Sequence, residues 1–177
     1  MFRVGIIGPE ASGKSTLARY LARRYKGVLV PEYGREYVEK KKPTPAPSLK
    51  GGESFKPVEL SYDEVCEIAK HQIEEIRANG RTDEGTNVVF YDTELIVTKV
   101  WFDYAFGRVP EWLEEALRTY KMDVYLLCKP DIPWVQDGAR FNGSDDIRQE
   151  LFERYEREIE ELGVPYYIIE HVQGLEG

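Results

Sequence analysis

The sequence predicts an α/β fold in which a five-stranded parallel sheet is flanked by helices. Three observations support this prediction. Five short apolar runs have the pattern of buried strands, and segments with helical periodicity separate them. The runs are continuously apolar, which is typical of strands covered on both faces. A glycine-rich segment follows the first run and opens a helix, which is the arrangement of a phosphate-binding loop.

Each predicted strand is a short run of β-branched, aliphatic or aromatic residues bounded by polar or turn-forming residues. The five runs are Arg3–Ile7, Val28–Val30, Val88–Tyr91, Asp123–Cys128 and Tyr166–Ile169. Parallel strands need crossover connections, and the intervening helices supply them. The sequence contains no internal repeat, and we expect residues 1–177 to form one domain.

The first three helices are predicted from apolar spacing and from a capping signal. The first covers Lys14–Tyr25, and a short helical piece begins near Arg35. Ser61 is expected to cap a helix that ends near Ala78, because Glu64 three residues later completes a capping box.

Three further helices complete the predicted pattern. Helical spacing covers Glu94–Ala105 and resumes after Pro110. Ser144 is expected to cap a long last helix, which Gly163 ends. The apolar face of that helix comprises Ile147, Leu151, Tyr155, Ile159 and Leu162.

Two segments lack periodicity and are rich in proline and glycine. Residues 40–60 form an insert that is either a flexible flap or a cover over a substrate. Residues 129–143 lie between the fourth strand and the long helix, and we predict that they form a lid.

Composition excludes several classes of partner. The formal net charge is −8 and the pI is near 5.0, so a nucleic-acid backbone is a poor partner. No apolar run approaches the roughly 20 residues of a membrane helix. The first strand leaves no room for a signal peptide, so we expect a cytoplasmic protein in which Cys66 and Cys128 are reduced core thiols. The sequence leaves the oligomeric state open.

The segment Gly8–Ser15 matches GxxxxGK[ST] at every fixed position. Its glycines allow the backbone to wrap a phosphate, which the amide N–H groups and the positive end of the helix then bind. Lys14 is expected to reach the β- and γ-phosphates of ATP, and Ser15 to ligate Mg²⁺. The loop residues expected to bind ATP are Gly8, Glu10, Ala11, Ser12, Gly13, Lys14, Ser15 and Thr16.

Two carboxylates are predicted at the carboxyl ends of strands, where ligands gather in open parallel sheets. Asp92 matches a Walker B aspartate that holds Mg²⁺, and the alternative is a cap on the helix near Glu94. Glu32 could accept a proton from an acceptor hydroxyl and Arg35 could clamp phosphate, the alternative being an exposed ion pair. The sequence does not decide whether Glu32 or Asp92 is the base. Thr93 occupies the position where ATP-hydrolysing machines often carry a second acid, which favours transfer to a bound acceptor.

The predicted lid region supplies two cations for the phosphates. Arg140 lies near the end of the lid and Arg148 follows in the next helix. The alternatives are a solvated loop charge for Arg140 and a surface pair with Asp145 for Arg148. Four aromatic residues could stack on a flat base, although the core is the commoner position for such residues: Tyr33, Trp101, Tyr104 and Trp134.

Several of these motifs occur together in one known family. They are Gly8–Thr16, Glu32–Tyr37, Asp92–Glu94 with Thr98, Trp134–Arg140, Gly143-Ser144 with Arg148, and Val164–Tyr167. On these residues the chain resembles the ribosylnicotinamide kinase domain of bacterial NAD-biosynthesis regulators. The resemblance implies a P-loop NTPase fold of the nucleoside- and nucleotide-kinase type, with ATP as donor and the 5′-hydroxyl of nicotinamide riboside as acceptor. It also implies that Glu32, Arg35 and Asp137 face the riboside.

Three functions are compatible with the sequence. The first is an ATP-dependent kinase for nicotinamide riboside or a related nucleoside, and the second is a kinase for another small acceptor such as a deoxynucleoside or a nucleotide. The third is a regulatory protein whose ATP state changes its affinity for a partner. For the favoured first function, the predicted catalytic residues are Lys14, Glu32, Asp92 and Arg140, and the predicted substrate-binding residues are Glu32, Tyr33, Arg35, Thr93, Trp101 and Asp137.

Overall fold

The computed structural model describes residues 1–41, 60–79, 87–133 and 145–170. These residues form a five-stranded parallel sheet with helices on both faces, so the predicted fold class is confirmed. The strand order is β2-β3-β1-β4-β5. The strands are β1 (Phe2–Ile7), β2 (Val28–Val30), β3 (Val88–Asp92), β4 (Val124–Cys128) and β5 (Tyr166–Ile169).

The first strand lies at the centre of the sheet, between β3 and β4. Gly5 is opposite Tyr91 on one side and Tyr125 on the other. A Cβ atom at Gly5 would lie 2.6 Å from the Tyr125 ring, so this position has no room for a side chain. Because β1 is central, the glycine-rich loop at its carboxyl end lies beside the carboxyl end of β3. This is the edge at which parallel sheets bind ligands.

Six helices connect the strands within the described residues. They are α1 (Lys14–Arg24), α2 (Tyr33–Lys41), α3 (Tyr62–Asn79), α4 (Leu95–Phe106), α5 (Glu111–Thr119) and α6 (Asp145–Leu162). The predicted capping box before α3 is present, because the Ser61 N–H donates to Glu64 Oε2 (2.8 Å) and the Glu64 N–H to Ser61 Oγ (3.3 Å). Gly163 follows α6 with a φ of 66°, as expected for a residue that ends a helix. The predicted cap Ser144 lies outside the described residues.

At the start of α4, the structure rules out one alternative that the sequence left open, in which Asp92 caps this helix. Asp92 does not cap this helix, because Glu94 is the N-cap and its carboxylate accepts from the Ile96 N–H (2.9 Å). Asp92 is instead the last residue of β3. Its side chain is therefore not committed to capping.

Apolar side chains cover both faces of the sheet. The larger core cluster lies between the sheet and α3 to α6, and the smaller one lies beneath α1. This explains why the strands are continuously apolar in sequence. Both cysteines are free thiols; Cys128 is buried and Cys66 is half-buried. Of the helices in the described ranges, none combines the length and apolar content that a bilayer span requires.

Candidate functional site

The loop between β1 and α1 has the backbone geometry of an anion cradle. Gly8 has a φ of 152°, and a Cβ atom there would lie 2.6 Å from the Cys128 carbonyl oxygen. Gly13 is the N-cap of α1 with a φ of 82°, and among the described residues no side chain caps this helix. The first amide N–H groups of α1 are therefore available to an anion at the positive end of the helix.

A cavity of about 330 Å³ opens from this loop toward α2, α3, α4 and α6. Every loop residue predicted to bind ATP lines it: Gly8, Glu10, Ala11, Ser12, Gly13, Lys14, Ser15 and Thr16. The same cavity also reaches apolar and aromatic side chains of the neighbouring helices. One continuous space therefore adjoins both the phosphate cradle and a site large enough for part of a second molecule.

Two side chains of the loop fold back onto its own backbone. Lys14 Nζ and Ser12 Oγ each donate a hydrogen bond to the Pro9 carbonyl oxygen, both at 2.8 Å. These contacts hold the Lys14 ammonium beside the cradle. A positive charge therefore lies on the wall of the cavity before any phosphate is present.

Arg148 reaches the loop from α6 and is 1% exposed. Its guanidinium donates to the carbonyl oxygens of Glu10 (3.2 Å), Ala11 (3.4 Å) and Ile132 (2.9 Å). It also donates to Asp145 (3.1 Å), so the pair considered from the sequence forms, but with a buried arginine. These contacts show Arg148 supporting the back of the loop; a direct contact with the nucleotide stays a prediction.

The two predicted carboxylates lie at adjacent strand ends. Glu32 lines the cavity after β2. Burial raises the pKa of Glu32, the Lys14 ammonium lowers it and the Asp92 carboxylate raises it again, so the net shift is upward. Asp92 is buried, and its Oδ1 has no hydrogen-bond partner among the described residues. An unpartnered buried carboxylate oxygen next to a phosphate cradle is suited to a hard cation.

The predicted substrate-binding residues separate into two groups. Arg35, Thr93 and Trp101 line the cavity. Tyr33 is not among the residues that line it, and its ring stacks on His71 with centroids 3.5 Å apart and planes 7° apart. Tyr104 is on the exposed side of α4. Of the aromatic residues that the structure describes and that were proposed to stack on a base, Trp101 is the one at the cavity.

Sequence reasoning missed the polar pair on the apolar side of the cavity. Gln72 of α3 accepts a hydrogen bond at Oε1 from Thr98 Oγ1 of α4 (2.7 Å), and both residues line the cavity. The available signal was Gln72 itself, a polar residue at a spacing otherwise occupied by Val65, Ile68 and Ile76. Thr98 was noted in the family motif, but its partner is 26 positions away.

Other predicted residues lie outside the described part of the chain. These are Asp137 and Arg140, with the aromatic Trp134, most of the insert at 40–60 and most of the lid at 129–143. Their roles stay predictions.

Comparison with known proteins agrees with the family resemblance that the motifs indicate. A model of the AAA domain family matches residues 3–174. The trifunctional NAD biosynthesis/regulator protein NadR of Escherichia coli (strain K12) is 29% identical over 167 residues, which is 94% of this chain and 38% of that protein. The NadR protein of Salmonella typhimurium (strain LT2) is 31% identical over 146 residues, or 82% of this chain and 32% of that protein. The chain therefore spans about a third of the length of these relatives.

Solved structures with the same fold include two of NadR. A crystal structure of NadR in complex with NR superposes with a TM-score of 0.73 at 23% identity, covering 99% of this chain and 45% of that one. A NadR structure in complex with NAD and AMP-PNP has a TM-score of 0.72 at 23% identity, covering 96% and 44%. A deoxyadenosine kinase from M. mycoides has a TM-score of 0.59 at 10% identity, covering 99% and 93%. The resemblance inferred from the motifs is confirmed.

Proposed function

Since the chain belongs to the AAA domain family, we propose that it transfers the γ-phosphate of ATP to a hydroxyl of a nucleoside-like acceptor. The favoured acceptor is the 5′-hydroxyl of nicotinamide riboside. The observation that carries this proposal is the single cavity in which the phosphate-binding loop, Glu32 and Trp101 face a common space. A kinase needs donor and acceptor sites that are continuous, because the phosphoryl group moves directly between them.

The loop supplies the donor side of the reaction. Its backbone amides and Lys14 would hold the β- and γ-phosphates, while Arg148 keeps the loop in shape from behind. Ser15 and Asp92 would hold Mg²⁺, which neutralises charge on the phosphate oxygens when bound. The unpartnered Asp92 Oδ1 fits such a cation. In this proposal the predicted lid brings Arg140 over the transferring group.

Glu32 serves the acceptor side. A bond forms between the acceptor oxygen and the γ-phosphorus, the bond to the bridging oxygen breaks, and ADP leaves. The hydroxyl proton passes to Glu32. A base that must both accept and release a proton near neutral pH works best with a raised carboxyl pKa, which burial gives Glu32. This argument favours Glu32 over Asp92, which we propose as the metal ligand.

Nicotinamide riboside is favoured over other acceptors by the family motifs and by the relatives. The two curated relatives are named for NAD biosynthesis, and one structural neighbour was solved in complex with NR. In this chain Arg35 and Trp101 line the acceptor side of the cavity. A guanidinium can bind sugar or phosphate oxygens, and an indole gives a flat wall for an aromatic ring.

An acceptor screen tests the proposal. The purified chain would be incubated with ATP and Mg²⁺ and with nicotinamide riboside, deoxynucleosides or nucleoside monophosphates in separate reactions, and phosphorylated products identified by mass spectrometry. We expect nicotinamide mononucleotide as the main product. Lys14→Ala should abolish turnover without lowering the thermal unfolding temperature. The control Lys70→Ala, at an exposed lysine of α3, should keep the turnover of the wild type. Absence of any phosphorylated acceptor would reject a kinase function.

A further inference from the structure

The part of the cavity wall formed by α3 and α4 is apolar except for one polar pair, Gln72 and Thr98. The apolar side chains of these two helices that line the cavity include Val65, Ile68, Val97 and Trp101. Gln72 is 5% exposed and Thr98 is 6% exposed, so both polar groups have lost nearly all contact with water. A buried polar group in an apolar wall is costly unless it is hydrogen-bonded, and each such group calls for an explanation.

The hydrogen bond between the two residues fixes which end of the carboxamide is used. Thr98 Oγ1 donates to Gln72 Oε1 at 2.7 Å, so Oε1 is occupied on the α4 side. Oε1 keeps a second lone pair, and the Nε2 amide carries two donors. Because Gln72 lines the cavity, the Nε2 donors are the polar hydrogens that it can offer to a molecule there.

Trp101 completes this wall one helical turn after Thr98. Residues three apart lie on the same side of a helix, and both Thr98 and Trp101 line the cavity. A flat ring against the indole would therefore lie close to the Gln72 carboxamide. The combination of an aromatic wall and a fixed donor is suited to a planar heterocycle that has an acceptor at its edge.

We propose that Gln72 is a specificity-determining residue for the acceptor, donating an amide hydrogen bond to an oxygen on the edge of the nucleoside base. Thr98 is a positioning residue that holds the carboxamide in the donating orientation. This inference rests on the proposed nucleoside-kinase function and narrows its substrate class. The preferred nucleosides carry a carbonyl or carboxamide oxygen on the base, and nucleosides without such an oxygen are discriminated against.

The test compares two ribosides that differ only in the carboxamide group that carries this oxygen. Nicotinamide riboside carries a carboxamide, and the riboside of unsubstituted pyridine does not. The variants are Gln72→Met, which keeps the side-chain length but removes the donors, and Gln72→Met combined with Thr98→Val, which removes both polar partners. Gln149→Met is the matched control, because Gln149 is exposed on α6 and bonds Glu153 there.

We expect wild-type protein and the control to have a higher kcat/KM for nicotinamide riboside than for pyridine riboside. In Gln72→Met, the value for nicotinamide riboside should fall about tenfold, which is the size of one neutral hydrogen bond. The value for pyridine riboside should change by less than about twofold. The double variant should show the same loss of preference, and it should recover stability because no buried partner is left unpaired.

A different result is expected if the Gln72–Thr98 hydrogen bond only holds α3 against α4 and Gln72 does not contact the substrate. Both ribosides would then lose activity by the same factor in Gln72→Met, and that outcome overturns the inference. An unchanged preference for nicotinamide riboside in either variant overturns it as well.

The inference can fail separately from the proposed function. If wild-type protein phosphorylates neither riboside, the proposed nicotinamide riboside kinase activity fails, and binding of the same two ribosides is measured by calorimetry with AMP-PNP and Mg²⁺ present. A wild-type preference for nicotinamide riboside that Gln72→Met removes supports the inference as a binding determinant. Equal affinities of the wild type for both ribosides, or no binding of either, overturn it.

Discussion

Replacing Glu94 with glutamine should remove a pH dependence that the fold itself creates. Glu94 is 2% exposed at the start of α4, where its carboxylate accepts from the backbone N–H of Ile96. Burial raises its pKa to about 7, against the lowering effect of the Ile96 and Leu95 N–H groups and of the Tyr125 hydroxyl. In the unfolded chain the same carboxyl titrates near its ordinary value of 4.5.

The sign of the effect follows from proton uptake. Between these two pKa values the folded state holds a proton that the unfolded state has lost, so the free energy of unfolding falls as pH rises. A shift of this size corresponds to about 3 kcal/mol in total, of which about 2 kcal/mol is lost between pH 5 and pH 8. Above the folded-state pKa the contribution levels off. Glutamine has the same shape, stays neutral, and can still accept from Ile96.

Urea denaturation of wild type and Glu94→Gln at several pH values measures this directly. The wild type should lose about 2 kcal/mol relative to the variant between pH 5 and pH 8. Glu115→Gln, at an exposed glutamate of α5, should follow the wild type within about 0.5 kcal/mol. If the difference between wild type and Glu94→Gln were constant over this range, Glu94 would not be protonated in the folded state, and the desolvation argument would be wrong.

Two further substitutions test the geometry around the loop. Arg148→Met should lower the free energy of unfolding by about 3 kcal/mol and weaken ATP binding in a titration, because buried carbonyl oxygens of the loop lose their donors. The control Arg154→Met removes a surface ion pair of the same helix and should lower the free energy of unfolding by at most about 1 kcal/mol. Equal decreases for the two variants would contradict the role of Arg148 in supporting the loop. Thr93 has a φ of 71°, which is strained for a β-branched residue, so Thr93→Gly should raise the free energy of unfolding by about 1 kcal/mol in urea denaturation. A decrease for Thr93→Gly would show that side-chain packing outweighs backbone strain there.

Elements whose signals are local were predicted closely. The strand Val28–Val30 and the strand Tyr166–Ile169 have their predicted bounds, and the capping box of Ser61 and Glu64 forms as expected. Apolar periodicity and capping depend on residues a few positions apart, so they can be recognised without knowing the fold. The assignment of a helix cap to Asp92 failed as an alternative because Glu94, two residues later, competes for the same amide groups.

The chemistry of single side chains was harder to predict where their partners are distant in sequence. The sequence offers Tyr33 as a platform for a base, whereas in the structure its ring is stacked on His71, 38 positions away. The sequence predicts a phosphate ligand or a surface ion pair for Arg148, and in the structure this side chain is buried against a loop more than 130 positions earlier. In both cases the structure adds a contact with residues far away in the sequence, which no local pattern indicates.

The amino-acid sequence by itself determined the α/β class, the order of strands and helices, and the anion cradle. Each of these follows from short-range spacing of glycine and apolar residues. The tertiary structure alone decided which strands are neighbours, how Arg148 braces the loop, and that Gln72 and Thr98 meet in the wall of the cavity. Such contacts arise when helices from distant parts of the chain pack on one sheet, and their partners are set by that packing rather than by any local pattern.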